Sequence, residues 1–318
     1  MRPLVTRDAG HIGSVVARIL EEWYHVTVFD DLSKGYRDMV PAEARFEQGR
    51  NHDTARVIDG AGFEAVVHRA AFSRVAESVE HPARYEENSV LGTGRLCNAM
   101  LTPGINKVIV SPSAAVYGES GVAIITEETK TAPVNPYGGS NLAIDNDLSR
   151  RTHAGERAAI NRRHFNVAGA YGSYRGRHRQ ETHLVPVALE VATGKRASLT
   201  IFDDDLPTSD ATRVGDYIHV RDIANAHVPA LAAQEAGQHD IVNLGNSSSF
   251  SVQDVPEGVL KVTGHPLPTK IHPRRAGTPD VLVVSNERAR THPDWIPVHP
   301  DVTTMGENAS RFVPDRAA

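Results

Sequence analysis

The stretch LVTRDAGHIGSVVARIL, residues 4–20, puts small residues where a strand would hand over to a helix, an arrangement that can cradle phosphate. In a dinucleotide-binding turn of this kind each glycine has a task. The first makes the tight bend, the second lets backbone N–H groups approach the pyrophosphate, and the third lets helix pack on strand. Gly10 and Gly13 fill the second and third posts, with His11 and Ile12 between them, and the helix would direct its positive amino end at the phosphates. Arg7 holds the first post. If that position needs positive φ, a side chain there costs about 1–2 kcal/mol, while its guanidinium can pair with phosphate. Asp30 closes the next β-like run twenty residues after Gly10, where a carboxylate accepts from ribose hydroxyls. Asp31 sets a second negative charge against any 2′-phosphate, so the expected coenzyme is NAD and not NADP.

Metal chemistry has no such footing. The sixteen histidines are scattered (His153, His164, His178, His183, His265 and His272 among them), with no pair or carboxylate cluster at ligand spacing. They read as surface and turn residues, and no metal is expected. The single cysteine, Cys97 in the apolar GRLCNAM, excludes an internal disulfide, suits a reducing compartment and reads as core.

The elements that must carry the glycine turn follow from hydropathic period. RPLVT (2–6), HVTVFD (25–30), AVVHRAA (65–71) and KVIVSPS (107–113) read as buried strands. IGSVVARILEEW (12–23) and YEENSVLGTGRLCNAML (85–101) carry apolar residues at helical spacing. Strands alternating with helices predict an α/β fold with a doubly wound parallel sheet of Rossmann type. Beyond residue 170 the pattern loosens. SYRGRHRQETH (173–183) reads as loop, LVPVALEVATG (184–194) as helix, SLTIF (198–202) as strand, and DDDLPTSDATRVGD (203–216) as a long connection. DYIHVRDIANAHVPAL (216–231) and DIVNLG (240–245) return to strand and helix. The expected division is residues 1–172 plus 217–245 as the dinucleotide-binding domain, with 173–216 and 246–318 as a smaller α/β substrate lobe.

Composition bounds the function. With 318 residues, 40% hydrophobic and 23% charged, the chain can bury sizeable cores. A net charge of −5 and the lack of a basic run argue against nucleic acid. No apolar stretch approaches the roughly 18 residues of a membrane span, and the strand-like start leaves no room for a signal peptide. A soluble cytoplasmic protein is expected.

Two further stretches, SPSAAVYG (111–118) and NPYGGSN (135–141), complete a wider pattern. With AGHIGS, FDDLSKG, ESVEHP, ENSVLGT, RRHFNVAGAYG, DYIHVRDIANAH, VNLGN and PRRAG, the chain resembles the extended short-chain dehydrogenase/reductase family, and within it the UDP-glucose (UDP-galactose) 4-epimerases, nearly end to end. The resemblance implies C4 epimerisation of a UDP-hexose through a transient 4-keto sugar, with NAD as cofactor and an isomerase of galactose metabolism as the class. It assigns Tyr137 as the general base and Ser113 as the hydroxyl that relays its proton. Ala114–Ala115 stand where related dehydratases carry an acid, which disfavours dehydration. NAD contacts are assigned to Gly10, His11, Ile12, Gly13, Asp30, Asp31, Ala71, Asn88 and Phe165. The nucleotide sugar is assigned to Asn166, Leu184, Ile201, Phe202 and Arg275, with Val281 near the position that limits sugar size. Homodimers are implied, through helices at about 88–101 and 138–154.

The chain departs from the family at several contacts. Asn141 stands where a lysine, four residues after the tyrosine, holds the nicotinamide ribose and eases phenol ionisation. Arg50 replaces an aspartate for the adenine, Arg69 an aromatic, His164 a tyrosine, Gly215 an arginine that grips UDP, and Thr278 an aspartate near the uridine ribose. Three readings follow: an active epimerase, a catalytically silent homologue that binds NAD or a nucleotide sugar, and an NDP-sugar reductase of the same fold.

Overall fold

In the computed structural model, the described residues are 1–311 except 8, 51–52, 70–71, 157, 177–180, 234–236, 275–278, 292–294 and 300. Seven parallel strands form the central sheet. In chain order they are β1 (Pro3–Thr6), β2 (Thr27–Asp30), β3 (Arg45–Gln48), β4 (Ala65–His68), β5 (Lys107–Val110), β6 (Ala158–His164) and β7 (His239–Leu244). Their spatial order is β7-β6-β5-β4-β1-β2-β3. The order reverses beside β1, the topological switch point at which ligands bind open α/β sheets.

Strands covered on both faces can be apolar throughout. Leu4 and Val5 in β1, Val66 and Val67 in β4, and Val108 and Ile109 in β5 are fully buried. One core packs α1 (His11–Leu20) and the helix Val220–Ala233 on one face, through Val15, Val16, Leu20, Ala224 and Leu231. On the other face Leu96, Cys97, Met100, Ile144 and Leu148 form a second core. A third cluster lies around the helices Leu184–Ala192, Asp254–Thr263 and Val302–Ser310, joining Val185, Leu189, Val255, Val259 and Met305. Short two- and three-residue pairings, such as Tyr217–His219 with Asn166–Ala168, link it to the sheet.

Three findings differ from the sequence reading. The edge strand β3, RFEQ, shows no apolar run because one flank of it faces solvent. β6 reads AAINRRH and is buried despite its charges. In it, Arg163 donates to Asp145 at 2.6 and 2.8 Å and to the Tyr117 hydroxyl, while its neighbour Arg162 points a fully buried guanidinium without a hydrogen-bond partner among the described residues. The third concerns the histidines, which are not all surface and turn residues. His68, His219 and His227 lie in the interior, and burial pushes each imidazole down to about 3, so they are neutral packing and hydrogen-bonding groups. His68, for example, bridges the Thr6 and Thr93 hydroxyls at 2.5 and 3.0 Å.

Candidate active site

At the switch point β1 ends on Thr6, and Arg7 turns the chain with φ +62°, the left-handed region in which glycine is unstrained. Its N–H donates to the Phe29 carbonyl at 2.7 Å, tying the turn to β2. The guanidinium then reaches across the crevice. Nη2 donates to Asn88 Oδ1 at 2.7 Å, and the group lies 5.4 Å from the Phe72 ring centre. Lys34 and Arg84 face the same ring at 5.6 and 4.9 Å. Burial lowers the Arg7 pKa while Asp31 and Asp30 raise it, so the cation is held by nearby carboxylates.

Gly10 caps α1 in an extended conformation, and a Cβ built on it would meet nothing within 4 Å. The amino end of the helix is therefore open to a ligand. His11 Nε2 donates to the Gly169 carbonyl at 2.9 Å, Gly13 is buried against the sheet, and Ile12 packs on the core. Asp30 is buried at the end of β2. Its two oxygens accept from Ala9 N at 3.1 Å and Leu32 N at 2.6 Å. Burial pushes this carboxyl up and the two backbone donors oppose the shift. Asp31 accepts from Ser33 N at 2.9 Å. A cavity of about 410 Å³ is lined by Arg7, Asp31, Ser33, Arg50, Phe72 and Asn88, and a neighbouring one of about 380 Å³ by Asp31, Gln48, Gly49, Arg50 and Asp53.

These groups fit an adenine dinucleotide: an open helix amino end, a carboxylate at the second strand's end, and two cavities that share Asp31 and Arg50. Arg7 is the misfit, because its guanidinium spans the cavity to reach Asn88. Ala71 lies outside the described residues.

The second cluster forms where helix Pro136–His153 begins. Asn135 caps it by accepting from Gly138 N at 2.8 Å, and Pro136 takes the first turn, where a missing N–H costs nothing. Gly138 is required by a close approach, since a Cβ there would stand 2.4 Å from the Ala115 carbonyl oxygen. That approach presses the first turn onto the loop after β5 and brings Tyr137 to Ser113. The Tyr137 ring is almost wholly buried and meets Tyr85 edge-on at 6.4 Å. Its N–H donates to Ser78 Oγ at 3.1 Å. Burial pushes its phenol up; a hydrogen bond with Ser113, the Arg69 charge and a hydrogen bond with Asn141 pull it back.

Asn141 is only 1% exposed and acts as a clamp. Its Oδ1 accepts from Ser113 N at 3.1 Å and its Nδ2 donates to the Tyr137 carbonyl at 2.7 Å. The amide thus fixes the serine loop against the tyrosine's own helix. Ser113 also accepts from Ala115 N at 3.2 Å and bridges His164 at the end of β6.

The residues expected to hold a nucleotide sugar are spread along the other side. Asn166 is exposed and lies over Gly215, where a Cβ would stand 2.7 Å from Asn166 Nδ2. Phe165 is buried against Ala114, Tyr117 and Val284. Leu184 opens its helix and packs on the third core. Ile201 and Phe202 pair with Ile271 and His272, the Phe202 and His272 rings lying 6.2 Å apart. Val281 pairs with Val214. Arg275 and Thr278 lie outside the described residues. Phe72, Ser78 and Tyr85 escaped the sequence reading because a lone aromatic or serine in a polar stretch has no period. Arg69 had one usable signal, its place just past a central strand.

A family model described as "NAD dependent epimerase/dehydratase family" matches residues 4–245. A UDP-glucose 4-epimerase of Corynebacterium glutamicum is 46% identical over 314 residues, 98% of this chain and 95% of that protein. The crystal structure of a UDP-glucose 4-epimerase from Brucella ovis in complex with NAD superposes with a TM-score of 0.92 at 35% identity, covering 98% of each chain. One from Bifidobacterium longum, in complex with NAD+ and UDP, gives a TM-score of 0.92 at 29% identity over 98% of each chain. Among the described residues no three His, Cys, Asp or Glu side chains group as a metal site, and no helix is long and apolar enough to cross a membrane.

Proposed function

The chain belongs to the NAD dependent epimerase/dehydratase family, and from that premise we propose that it interconverts UDP-glucose and UDP-galactose at C4. The observation that carries this reading is the buried cluster in which Asn141 ties Ser113 N to the Tyr137 carbonyl while Gly138 lets the first turn of the tyrosine's helix close on the loop after Ser113. Bound NAD would supply the hydride acceptor and donor. Tyr137 takes the proton of the sugar 4-hydroxyl, and Ser113 orients the phenol oxygen toward it. Gly10, His11, Ile12, Gly13, Asp30, Asp31, Ala71, Asn88 and Phe165 would bind the dinucleotide, with Arg7 leaving Asn88 as the pyrophosphate enters. Asn166, Leu184, Ile201 and Phe202 would hold the nucleotide sugar and Arg275 its diphosphate.

In this reading residues 1–172 with 217–245 are the cofactor unit, and 173–216 with 246–318 the sugar-nucleotide lobe. A homodimer through the helices around 88–101 and 138–154, acting in the cytoplasm, completes the proposal. The silent-homologue alternative rests on Asn141, an uncharged amide bonded to Ser113 N and the Tyr137 carbonyl, and on Arg7. One assay separates them. Enzyme at substrate-like concentration, supplied with NAD, should convert either UDP-hexose into a mixture of both. Recovery of the single starting sugar from a preparation with bound NAD would overturn the epimerase reading.

A further inference from the structure

Groups that pass a proton must hold their relative position closely, since a misplacement of about 1 Å can cost about 10²-fold in rate. The Asn141 clamp and the close approach at Gly138 fix only the opening turns of the tyrosine's helix. A helix held at one end alone is free to roll about its axis. A second fixing point lies one turn further on. Tyr137, Asn141 and Asp145 follow one another at spacings of four and are all buried, so they share one face of helix Pro136–His153. Asp145 stands about 12 Å along the axis from Tyr137.

The contacts of Asp145 leave its carboxylate one orientation. Oδ2 accepts from Arg163 Nε at 2.8 Å and Nη2 at 2.6 Å, and Oδ1 accepts from Asn161 Nδ2 at 2.6 Å. Asn161 and Arg163 are alternate residues on one face of β6. The remaining arm of the guanidinium, Nη1, donates to the Tyr117 hydroxyl at 2.8 Å. That hydroxyl donates in turn to Asn243 Oδ1 of β7 at 2.9 Å. Tyr117 closes the short 3₁₀ turn Ala114–Val116, which Ser113 caps by accepting from Ala115 N. β6 meets the same loop again at its end, where His164 N donates to the Pro112 carbonyl at 3.2 Å. One network thus joins the helix of Tyr137, the turn of Ser113 and two strands of the central sheet. Its five side chains are each 3% exposed or less. An ion pair buried this deeply adds little net stability, because desolvation offsets the attraction; what it supplies is fixed geometry.

We propose that Asp145, Arg163 and Tyr117 form a brace that sets the rotation of the tyrosine helix against the Ser113 turn. The proposal rests on the epimerase reading for its purpose. None of the three touches the reacting atoms; they act through Tyr137 and Ser113 and are positioning residues.

The test compares Tyr117→Phe, which removes one hydroxyl, with the double variant Asp145→Leu and Arg163→Met, which removes the fork without leaving a buried charge unpaired. The proposal expects kcat to fall about tenfold in the first and about 10²-fold in the second, with KM for the UDP-hexose near the parent value. Hydrogen exchange read by mass spectrometry should quicken over residues 111–117 and 137–145 and stay level in β1 and α1. Parent kcat in the folded double variant overturns the proposal. Unchanged exchange in both segments overturns it too, as does faster exchange spread evenly over β1, β4 and α1, which would mark a general loosening. Should the double variant fail to fold, Tyr117→Phe decides by the same readings. In a parent protein that converts no sugar, exchange quickened only in the two segments keeps the brace and counts against the epimerase reading.

Discussion

The two ends of one crevice have met substitution in opposite ways. At the phosphate turn, Arg7 adds bulk and charge to a position that bends with φ +62°. The backbone keeps its course, and the side chain is parked on Asn88 and Phe72 inside the space a dinucleotide would fill. At the Tyr137 end, Asn141 subtracts a charge, yet every polar contact the amide makes tightens the cluster. A side chain gained in a tight turn must be strained and stowed. A charge lost in a packed pocket leaves the geometry intact. The first defect is expected to weaken binding and the second to bear on rate.

That contrast can be broken by mutation. The largest effect is expected from Tyr137→Phe, which keeps the ring packing on Tyr85 but removes the proposed base; turnover should drop about 10²–10⁴-fold while NAD affinity, measured by calorimetry, stays level. Next is the pH profile. Because burial pushes the Tyr137 phenol up, the phenolate fraction grows as pH rises, so turnover should climb about tenfold per unit from pH 7 toward 9. NAD affinity should stay flat across that range, and a parallel rise in both would erase the distinction between the ends.

Asn141→Ala cuts the clamp, leaving Ser113 N without its side-chain acceptor. Thermal unfolding should report a loss of about 1–2 kcal/mol, and turnover should fall further than NAD affinity. The smallest change is expected from Arg7→Gly. Relief of the left-handed backbone and of the Asn88 contact should tighten NAD about five- to tenfold, the equivalent of about 1–1.4 kcal/mol. Weaker binding in that variant would show that the guanidinium grips phosphate more than it obstructs it.

Much of the frame was legible in the sequence, because apolar strands such as PLVT and AVVH carry their burial in their composition. The glycine turn and Asp30 were legible as spacing, whereas Ser113 and Tyr137 stood out only through the family resemblance. β6 was hidden because its burial depends on partners distant in sequence: Arg163 is neutralised by Asp145, and no local period announces that pair. The Arg7–Asn88 contact spans 81 residues and was equally invisible. Asn141 could be read as a missing charge, but its role as a clamp needed the position of Ser113 N. The core histidines were misread for a related reason, since a neutral imidazole bridging Thr6 and Thr93 leaves no mark on hydropathy.

The most direct measurement uses UDP-galactose carrying deuterium at C4, incubated with the protein and NAD in ordinary water and followed by NMR. Inversion at Tyr137 with the hydride kept inside the crevice predicts UDP-glucose that retains the deuterium at C4. Recovery of labelled UDP-galactose alone, or of UDP-glucose with protium at C4, would contradict the account.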